Sequence, residues 1–210
     1  YLATMIRWAV GHADRIIADS QATEQDIYKL YGDDKKNKAC VVYLAADKMP
    51  VGDDRIFERL AIKPGRYIFY VGSDKYNKNL DRAVKAFGMV REEGLQFVMA
   101  GKISQSYGAC PGVVLAGPVS DQELRSLYGK AKLFLFPSLY EGFGLPLLEA
   151  MAAGVPVITS NSSSLREIAD GAAELIDPGN TGSIARALRE LLGNSGQREK
   201  LVAKGREWGK

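Results

Sequence analysis

Short, almost wholly apolar runs alternate with segments of helical period along most of this chain, and that interleaving restricts the folds open to it. "RYIFYVGS" (66–73), "LQFVMAG" (95–101), "GVVLAG" (112–117), "LFLFPS" (133–138), "VPVITS" (155–160) and "AAELIDP" (172–178) read as strands. "RIIADS" (15–20) reads as a buried strand ending at a helix cap, and "ACVVYLA" (39–45) as another short strand. Helical patterns lie between them. "QATEQDIYKLYG" follows the first strand, and 79–94 carries apolar residues at 80, 83, 84, 87 and 90, with Gly94 as the stop. Ser120 and Glu123 form a capping box that opens a helix over 120–131. Pro146 begins the next helix, at a position where its missing N–H costs nothing. Further helices are predicted over 163–171, 181–194 and the closing "GQREKLVAKGREWGK". Strands that are apolar throughout, rather than alternating, are covered on both faces. The predicted fold is α/β, a doubly wound parallel sheet.

With 210 residues, 46% hydrophobic and 25% charged, the chain can bury a sizeable core as one large domain, or one domain plus a piece of another. The net charge is +3, with acids interspersed among the bases, so no stripe suits nucleic acid. Cys40 and Cys110 lie far apart without a metal-ligand spacing and read as free, space-filling thiols. A single histidine, His12, gives no basis for a zinc cluster and reads as a helix-surface residue. Trp8 and Trp208 read as packing residues or as facing a neighbour outside the chain. No apolar run reaches the roughly 18 residues of a spanning helix. The first residues lack a signal-peptide cleavage pattern and do not start with Met, which suggests a fragment or processed chain.

In a doubly wound sheet, ligands sit beyond the carboxyl ends of the strands. Three segments fall there: "GSDKYNK" after the strand at 66–72, "GK" after 95–100, and "SLYEGFG" after 133–137. The third leads into "EGFGLPLLE", where Glu141 and Glu149 are separated by seven residues. Gly142 and Gly144 allow a sharp turn with exposed backbone N–H groups, and the helix near Pro146 points its positive end into the same space. That combination suits a diphosphate or sugar hydroxyls. Glu141 sits in the loop, and Glu149 is placed in the first helical turn, reaching back over the same edge. On spacing alone the opposite reading is equally open: Glu149 complements the helix dipole and Glu141 is a solvated loop residue. Lys78 is placed as a point charge for phosphate oxygens, with Lys75 as the weaker competitor and a plain surface lysine as the alternative. "SNSSSLRE" (160–167) reads as an anion-friendly helix start or as ordinary N-capping. No G-x-G-x-x-G follows the first strand, which argues against a dinucleotide cofactor.

"FPSLYEGFGLPLLEAMAAGVPVITS" resembles the Glu-seven-Glu signature of the retaining glycosyltransferases of family 4, also called group 1, which have the GT-B fold. "ADRIIADSQATEQDIYKLYG", "YVGSDKYNKNLDRAVKAF", "VMAGK", "GPVSDQELRSLYGKA" and "ELIDPGN" are similar to that family's ordered blocks, in the same order, over nearly the whole chain. The resemblance implies a Rossmann-like sheet, with 1–45 as the tail end of the N-terminal GT-B domain plus linker and 46–210 as the C-terminal donor-binding domain. It implies that Glu141 meets the donor sugar near the reaction face and that Glu149 binds the ribose. Gly142, Phe143, Gly144 and Leu145 would present N–H groups to sugar and diphosphate, Lys78 would neutralise the diphosphate, and the edge at Gly101 and Lys102 and around Pro118–Val119 would hold the base. It implies no metal and no cofactor beyond the nucleotide sugar, GDP- or UDP-linked.

Two positions depart from the pattern. Ser73 stands where many members carry an arginine, which implies a diphosphate site with one cation fewer, and "NSSSL" stands where a glycine pair is frequent. A complete GT-B enzyme has two such domains, so the resemblance implies a donor-binding half that transfers little alone, with the acceptor site on the other domain. "SSSLREIADGAAELIDP" is more similar to GDP-mannose users than to UDP-glucose users. Acceptors in the family are glycans or lipid-linked sugars. The implied location is cytoplasmic, with any inner-membrane association made through the other domain. A non-catalytic nucleotide-sugar-binding module stands as the alternative. A glycosidase would need one carboxyl group kept neutral, and a GT-B epimerase would need further acidic and histidine residues that this stretch does not show.

Overall fold

The structure is a computed structural model that describes residues 2–32, 38–46, 50–90 and 92–208, with only the backbone of Leu2 and Trp208. The chain opens with α1 (Leu2–His12), β1 (Ile16–Ala18), α2 (Gln21–Tyr31) and β2 (Ala39–Val41), whose strands pair in parallel as a two-stranded sheet. It continues through α3 (Arg55–Arg59), β3 (Tyr67–Ser73), α4 (Leu80–Gly88), β4 (Gln96–Lys102), β5 (Val113–Gly117), α5 (Asp121–Gly129) and β6 (Leu133–Phe136). Then follow α6 (Leu145–Ala152), β7 (Val157–Ser160), α7 (Ser163–Ala169), β8 (Ala173–Ile176), α8 (Thr181–Gly193) and α9 (Ser195–Trp208). Strands β3 to β8 form one parallel sheet in the order β5-β4-β3-β6-β7-β8. The chain therefore winds outward from β3 in one direction, returns, and winds outward from β6 in the other.

The apolar strand runs are buried as their composition requires. Ile68, Phe69, Phe97, Val98, Met99, Leu133, Phe134, Val157 and Ile158 have no solvent exposure. Each such side chain contributes about 1.5–3 kcal/mol on burial. Leu80, Ala83, Ala86 and Phe87 face the sheet from α4, and Ile184, Ala185, Leu188 and Leu191 from α8. The capping box at Ser120 and Glu123 is present: the Ser120 Oγ accepts from the Glu123 N–H, and the Glu123 carboxylate accepts from the Ser120 N–H at 2.8 Å. That backbone bond, ahead of Arg59, holds the Glu123 carboxyl below its usual range.

Some boundaries differ from expectation. Helix α4 stops at Gly88 rather than running to 94, because Met89 and Val90 make the tighter bonds to Ala86 O and Phe87 O that end a helix. Val90 still packs on the core from the connection, which prolongs the apolar spacing, and Gly94 instead serves a left-handed turn before β4. Strand β1 is not buried throughout, since Ile17 is 70% exposed. Strand β2 ends at Val41, leaving Val42, Tyr43 and Leu44 exposed beyond it. Cys40 is exposed rather than space-filling, whereas Cys110 packs partly on the core, and both are free. His12 is exposed on α1 with its ring stacked on Trp8 at 4.5 Å. The side chain of Trp208 lies outside the described residues. Helix α3 carried no sequence expectation; five residues are too few to show a period. Among the described residues no helix is long and apolar enough to cross a membrane.

Candidate functional site

The winding reverses between β3 and β6, and a crevice at such a reversal, beyond the carboxyl ends of the strands, is where an open α/β sheet receives ligands. The segments leaving those two strands are stitched together there. After β3 the chain makes a 3-10 turn over Tyr76–Lys78 and passes through Asn79 in the left-handed region (φ 61°). Asn79 is 5% exposed, and its Nδ2 donates to Pro137 O at 3.0 Å and to Pro178 O at 2.8 Å. The Leu139 N–H donates to Asn77 O at 2.7 Å, and the Asn77 Nδ2 donates to Tyr140 O at 3.2 Å. These bonds bring Lys78 and Glu141 face to face across the reversal, with Nζ 2.6 Å from Oε1. The two side chains are 19% and 14% exposed, and the ammonium also lies 5.3 Å from the centre of the Phe136 ring. An ammonium has three N–H donors, so Glu141 leaves it capacity for a further anion.

The loop carrying Glu141 is held through its backbone. The Glu141 N–H donates to Ser163 Oγ at 3.2 Å, and Ser164 Oγ lies within donating distance of Glu141 O (2.9 Å) and Phe143 O (2.7 Å). Ser162 Oγ donates to Leu139 O at 3.2 Å. The serines of "NSSSL", read from sequence as an anion site or caps, make these bonds to the loop, and Ser162 stands at the N-cap of α7 without a side-chain capping bond. Gly142 O accepts from Ser20 Oγ at 2.6 Å and Thr23 Oγ1 at 3.1 Å, so the start of α2 closes on the loop from the other side. Gly144 has φ 116°, and a Cβ there would stand 2.7 Å from a Leu165 methyl carbon. Only glycine lets the chain turn here and enter α6 at Leu145, whose N–H, at the helix start, has no intrahelical acceptor. The positive end of α6 therefore opens beside Lys78 and Glu141.

Glu149 is the fifth residue of α6 rather than a first-turn residue, because the helix starts before Pro146. The dipole support expected for it fades beyond the first turn. Its carboxylate is oriented instead by a hydrogen bond: the Tyr128 phenol donates to Oε2 at 2.9 Å and also lies 3.3 Å from Pro146 O. The side chain still leans toward the start of α6, as Cβ atoms on a helix do.

The remaining predicted residues line the adjoining rim. Ser73 and Lys102 are register partners at the ends of β3 and β4. The Tyr70 phenol donates to Ser73 O at 2.8 Å, and Lys102 is exposed. Gly101 has φ 113°, and a Cβ on it would fall 1.9 Å from Gly72 O, so the strand ends can approach only with glycine at that position. Val119 lies one strand farther out, partly packed on the core, and Lys75 is exposed in the turn before Lys78.

Several residues of the assembly carried no functional expectation: Asn79, Tyr128, Ser20, Thr23, Tyr140 and Glu167. The Glu167 carboxylate accepts from the Gln21 N–H (2.9 Å), the Ala22 N–H (3.2 Å) and the Tyr43 phenol (2.6 Å), capping α2 from α7. The Tyr140 phenol donates to Asp26 Oδ2 at 2.5 Å, and that bond, with burial second, raises its pKa to about 12. The only local signal was Ser20 as a helix cap, which it is, accepting from the Thr23 N–H at 3.0 Å.

The family model for glycosyl transferases group 1 matches residues 53–208, the whole six-stranded sheet with its helices. The chain belongs to that family. Among curated relatives, this group 1 glycosyltransferase chain is similar to the O-antigen chain mannosyltransferase B of Escherichia coli, 44% identical over 89 residues. That match covers 42% of this chain and 23% of the relative. It is also similar to the serotype-specific mannosyltransferase WbdA of Escherichia coli, 29% identical over 203 residues, covering 86% of this chain and 24% of WbdA. The chain thus spans about a quarter of the length of these relatives. Among solved structures, sucrose-phosphate synthase from Thermosynechococcus elongatus aligns with a TM-score of 0.85 at 22% identity, covering 98% of this chain and 56% of that one. Anabaena HepE, in a complex with UDP and glucose, aligns with a TM-score of 0.85 at 17% identity, covering 99% of this chain and 61% of HepE. These likenesses show the fold, a Rossmann-like α/β domain of the GT-B plan.

Proposed function

We propose that this chain is the donor-binding portion of a retaining glycosyltransferase that moves mannose from GDP-mannose to a glycan or lipid-linked acceptor. The observation that carries the reading is the Lys78–Glu141 pair at the strand reversal, beside the glycine-started end of α6. The family membership supports a nucleotide-sugar donor, and the mannosyltransferases among the relatives support the mannosyl group.

In this reading the diphosphate lies against the Lys78 ammonium and the Leu145 N–H, the donor left free at the start of α6 among the described residues, since Pro146 has no N–H and Leu147 bonds Gly144 O. As the bond from the anomeric carbon to the phosphate oxygen breaks, the acceptor hydroxyl oxygen bonds to that carbon and its proton passes to the departing diphosphate; negative charge grows on the phosphate oxygen meanwhile, and a fixed cation and helix end lower the barrier. Glu141 meets the sugar hydroxyls near the anomeric carbon. Glu149 accepts from the ribose hydroxyls, while Gly142 to Leu145 follow the sugar and diphosphate with backbone N–H groups. Gly101, Lys102 and Val119 form the shelf for the base. With Ser73 in place of an arginine, Lys78 is the principal cation of the diphosphate. The acceptor is bound by the part of the enzyme that completes the cleft, and the protein works in the cytoplasm, at the membrane's inner face when its acceptor is lipid-linked.

The test is calorimetric titration of the chain with GDP and with UDP, on the unsubstituted protein and on Glu149→Ala. We expect GDP to bind the more tightly and Glu149→Ala to weaken it about tenfold or more, the scale for a charge-assisted bond lost. Unchanged GDP binding by Glu149→Ala would remove the ribose assignment.

A further inference from the structure

We propose that Tyr128 is the positioning residue of Glu149, a neutral phenol anchored in the core that holds one carboxylate oxygen so that the other is presented to the vicinal hydroxyls of the ribose. The inference rests on the nucleotide-sugar reading and goes beyond it, because it names a buried residue that no ligand atom need touch.

The placement of Tyr128 is determined by packing. It has no solvent exposure, although it comes from the last turn of α5, outside the sheet. Its ring stands edge-on to Phe69 of β3, with centroids 5.1 Å apart and planes at 89°. On its other side it meets Phe134 of β6 at 5.2 Å. These are the two strands between which the winding reverses, so the ring is held between the elements that flank the reversal. A phenol has two side-chain torsions, and both are fixed by these neighbours. The hydroxyl thus emerges at one point beneath α6, where Glu149 Oε2 lies 2.9 Å away. Pro146 O is a weaker alternative at 3.3 Å, and a bond to a carboxylate is stronger than one to a neutral carbonyl.

A neutral donor suits this carboxylate. Burial, and after it the Glu149 charge, drives the Tyr128 pKa far above its ordinary value, so the phenol stays a donor at any working pH. An ionised carboxylate can accept about four hydrogen bonds. Tyr128 uses one, leaving Oε1 and the charge on Glu149 for ligand hydroxyls. No Lys or Arg is ion-paired with Glu149 among the described residues, in contrast to the pairing of Glu141 with Lys78. A cation beside Glu149 would orient it equally well but would neutralise the charge that makes it a strong acceptor.

Tyr128→Phe keeps the ring packing and removes only the hydroxyl. The chain, Tyr128→Phe and Glu149→Gln are titrated by calorimetry with GDP and UDP, and the tighter ligand is compared with its 2′-deoxy and 3′-deoxy forms. Tyr67→Phe is the control for a general loosening of α5, since it also removes a buried phenol hydroxyl, one that donates to Leu127 O beside Tyr128 and makes no bond to Glu149. We expect the unsubstituted chain to favour the ribonucleotide about tenfold over either deoxy form, and Tyr67→Phe to keep that preference. Glu149→Gln loses it. Tyr128→Phe weakens the ribonucleotide about three- to tenfold and leaves the deoxy forms unchanged, so most of the preference disappears; circular dichroism melts show it folded at the titration temperature. If Tyr128→Phe keeps the full preference while Glu149→Gln loses it, the positioning role is overturned and the ribose reading stands. If Glu149→Gln keeps the preference, or neither nucleotide binds, the ribose reading falls and the role of Tyr128 falls with it.

Discussion

The two edges of the six-stranded sheet make different offers to a ligand. At the amino edge, before β4 and β5, an open pocket of about 790 Å³ is lined by Val84, Phe87, Val90, Leu95, Cys110 and Pro111. Of its two lining glutamates, Glu92 and Glu93, Glu92 is already paired with Lys132 at 2.8 Å and Arg66 at 3.3 Å. At the carboxyl edge, beyond β3 and β6, the offer is chemical: a cation with donors to spare, two carboxylates held in different ways, and the open end of α6. The difference shows that volume alone does not locate a site. Space appears wherever side chains leave a gap, whereas convergent polar groups need loops from non-consecutive strands, which this topology gathers only where its winding reverses.

The contrast can be broken most readily at Lys78. Lys78→Ala removes the cation proposed to face the diphosphate, so GDP affinity should fall roughly 30-fold or more, the scale for truncating one partner of a buried charge pair between protein and ligand. Phe87→Ala, lining the amino-edge pocket, should leave GDP affinity unchanged although it lowers stability. Equal losses in calorimetric titrations of the two variants would erase the distinction between the edges.

A smaller effect concerns glycine. Gly101→Ala would set a Cβ 1.9 Å from Gly72 O at a positive φ, and we expect a loss of roughly 1–3 kcal/mol, the cost of a strained backbone position. Gly88, at the end of α4 toward the other edge, has open space around its missing side chain, so Gly88→Ala should be neutral or stabilise by up to about 1 kcal/mol. Urea denaturation of both variants gives the comparison directly.

The smallest effect is one of pH. The Tyr140 phenol has its pKa raised to about 12 by Asp26, so the folded chain keeps a proton that the unfolded chain releases near pH 10. The stabilising contribution is complete below about pH 10 and is lost as pH rises through about 12. Tyr140→Phe should therefore show a shallower loss of stability over that window than the unsubstituted chain. Identical slopes in alkaline melts would mean that this tie between α2 and the Glu141 loop adds no stability.

Much of the architecture was legible from local signals. The strands of the large sheet are apolar on both faces, and Ser120, Glu123 and Pro146 mark helix starts by chemistry that acts within three or four residues. The geometry of the candidate site was legible where one segment carries it, as in the glycine-started helix after Glu141, while Lys78 and Glu149 were singled out through the family resemblance. What escaped was what the fold assembles from distant segments. Tyr128 reads as one more apolar position until α5 is laid under α6. Asn79, Ser20, Thr23 and Glu167 look like ordinary turn or helix residues until their partners arrive from other elements. The exposure of Ile17, Cys40 and Val42 escaped for a related reason. Strand composition predicts burial, but the two-stranded sheet of β1 and β2 leaves those side chains uncovered in this chain.

The claim that the carboxyl edge is the nucleotide site is tested most directly by an amide-resolved NMR titration of the labelled chain with GDP. The account predicts that the shifts concentrate on Lys78, Asn79, Gly101, Lys102 and Gly142 to Leu145, and that residues 84–90 and 110–112 stay unperturbed. Shifts centred on the amino-edge pocket, with the loop after β6 unmoved, would contradict it.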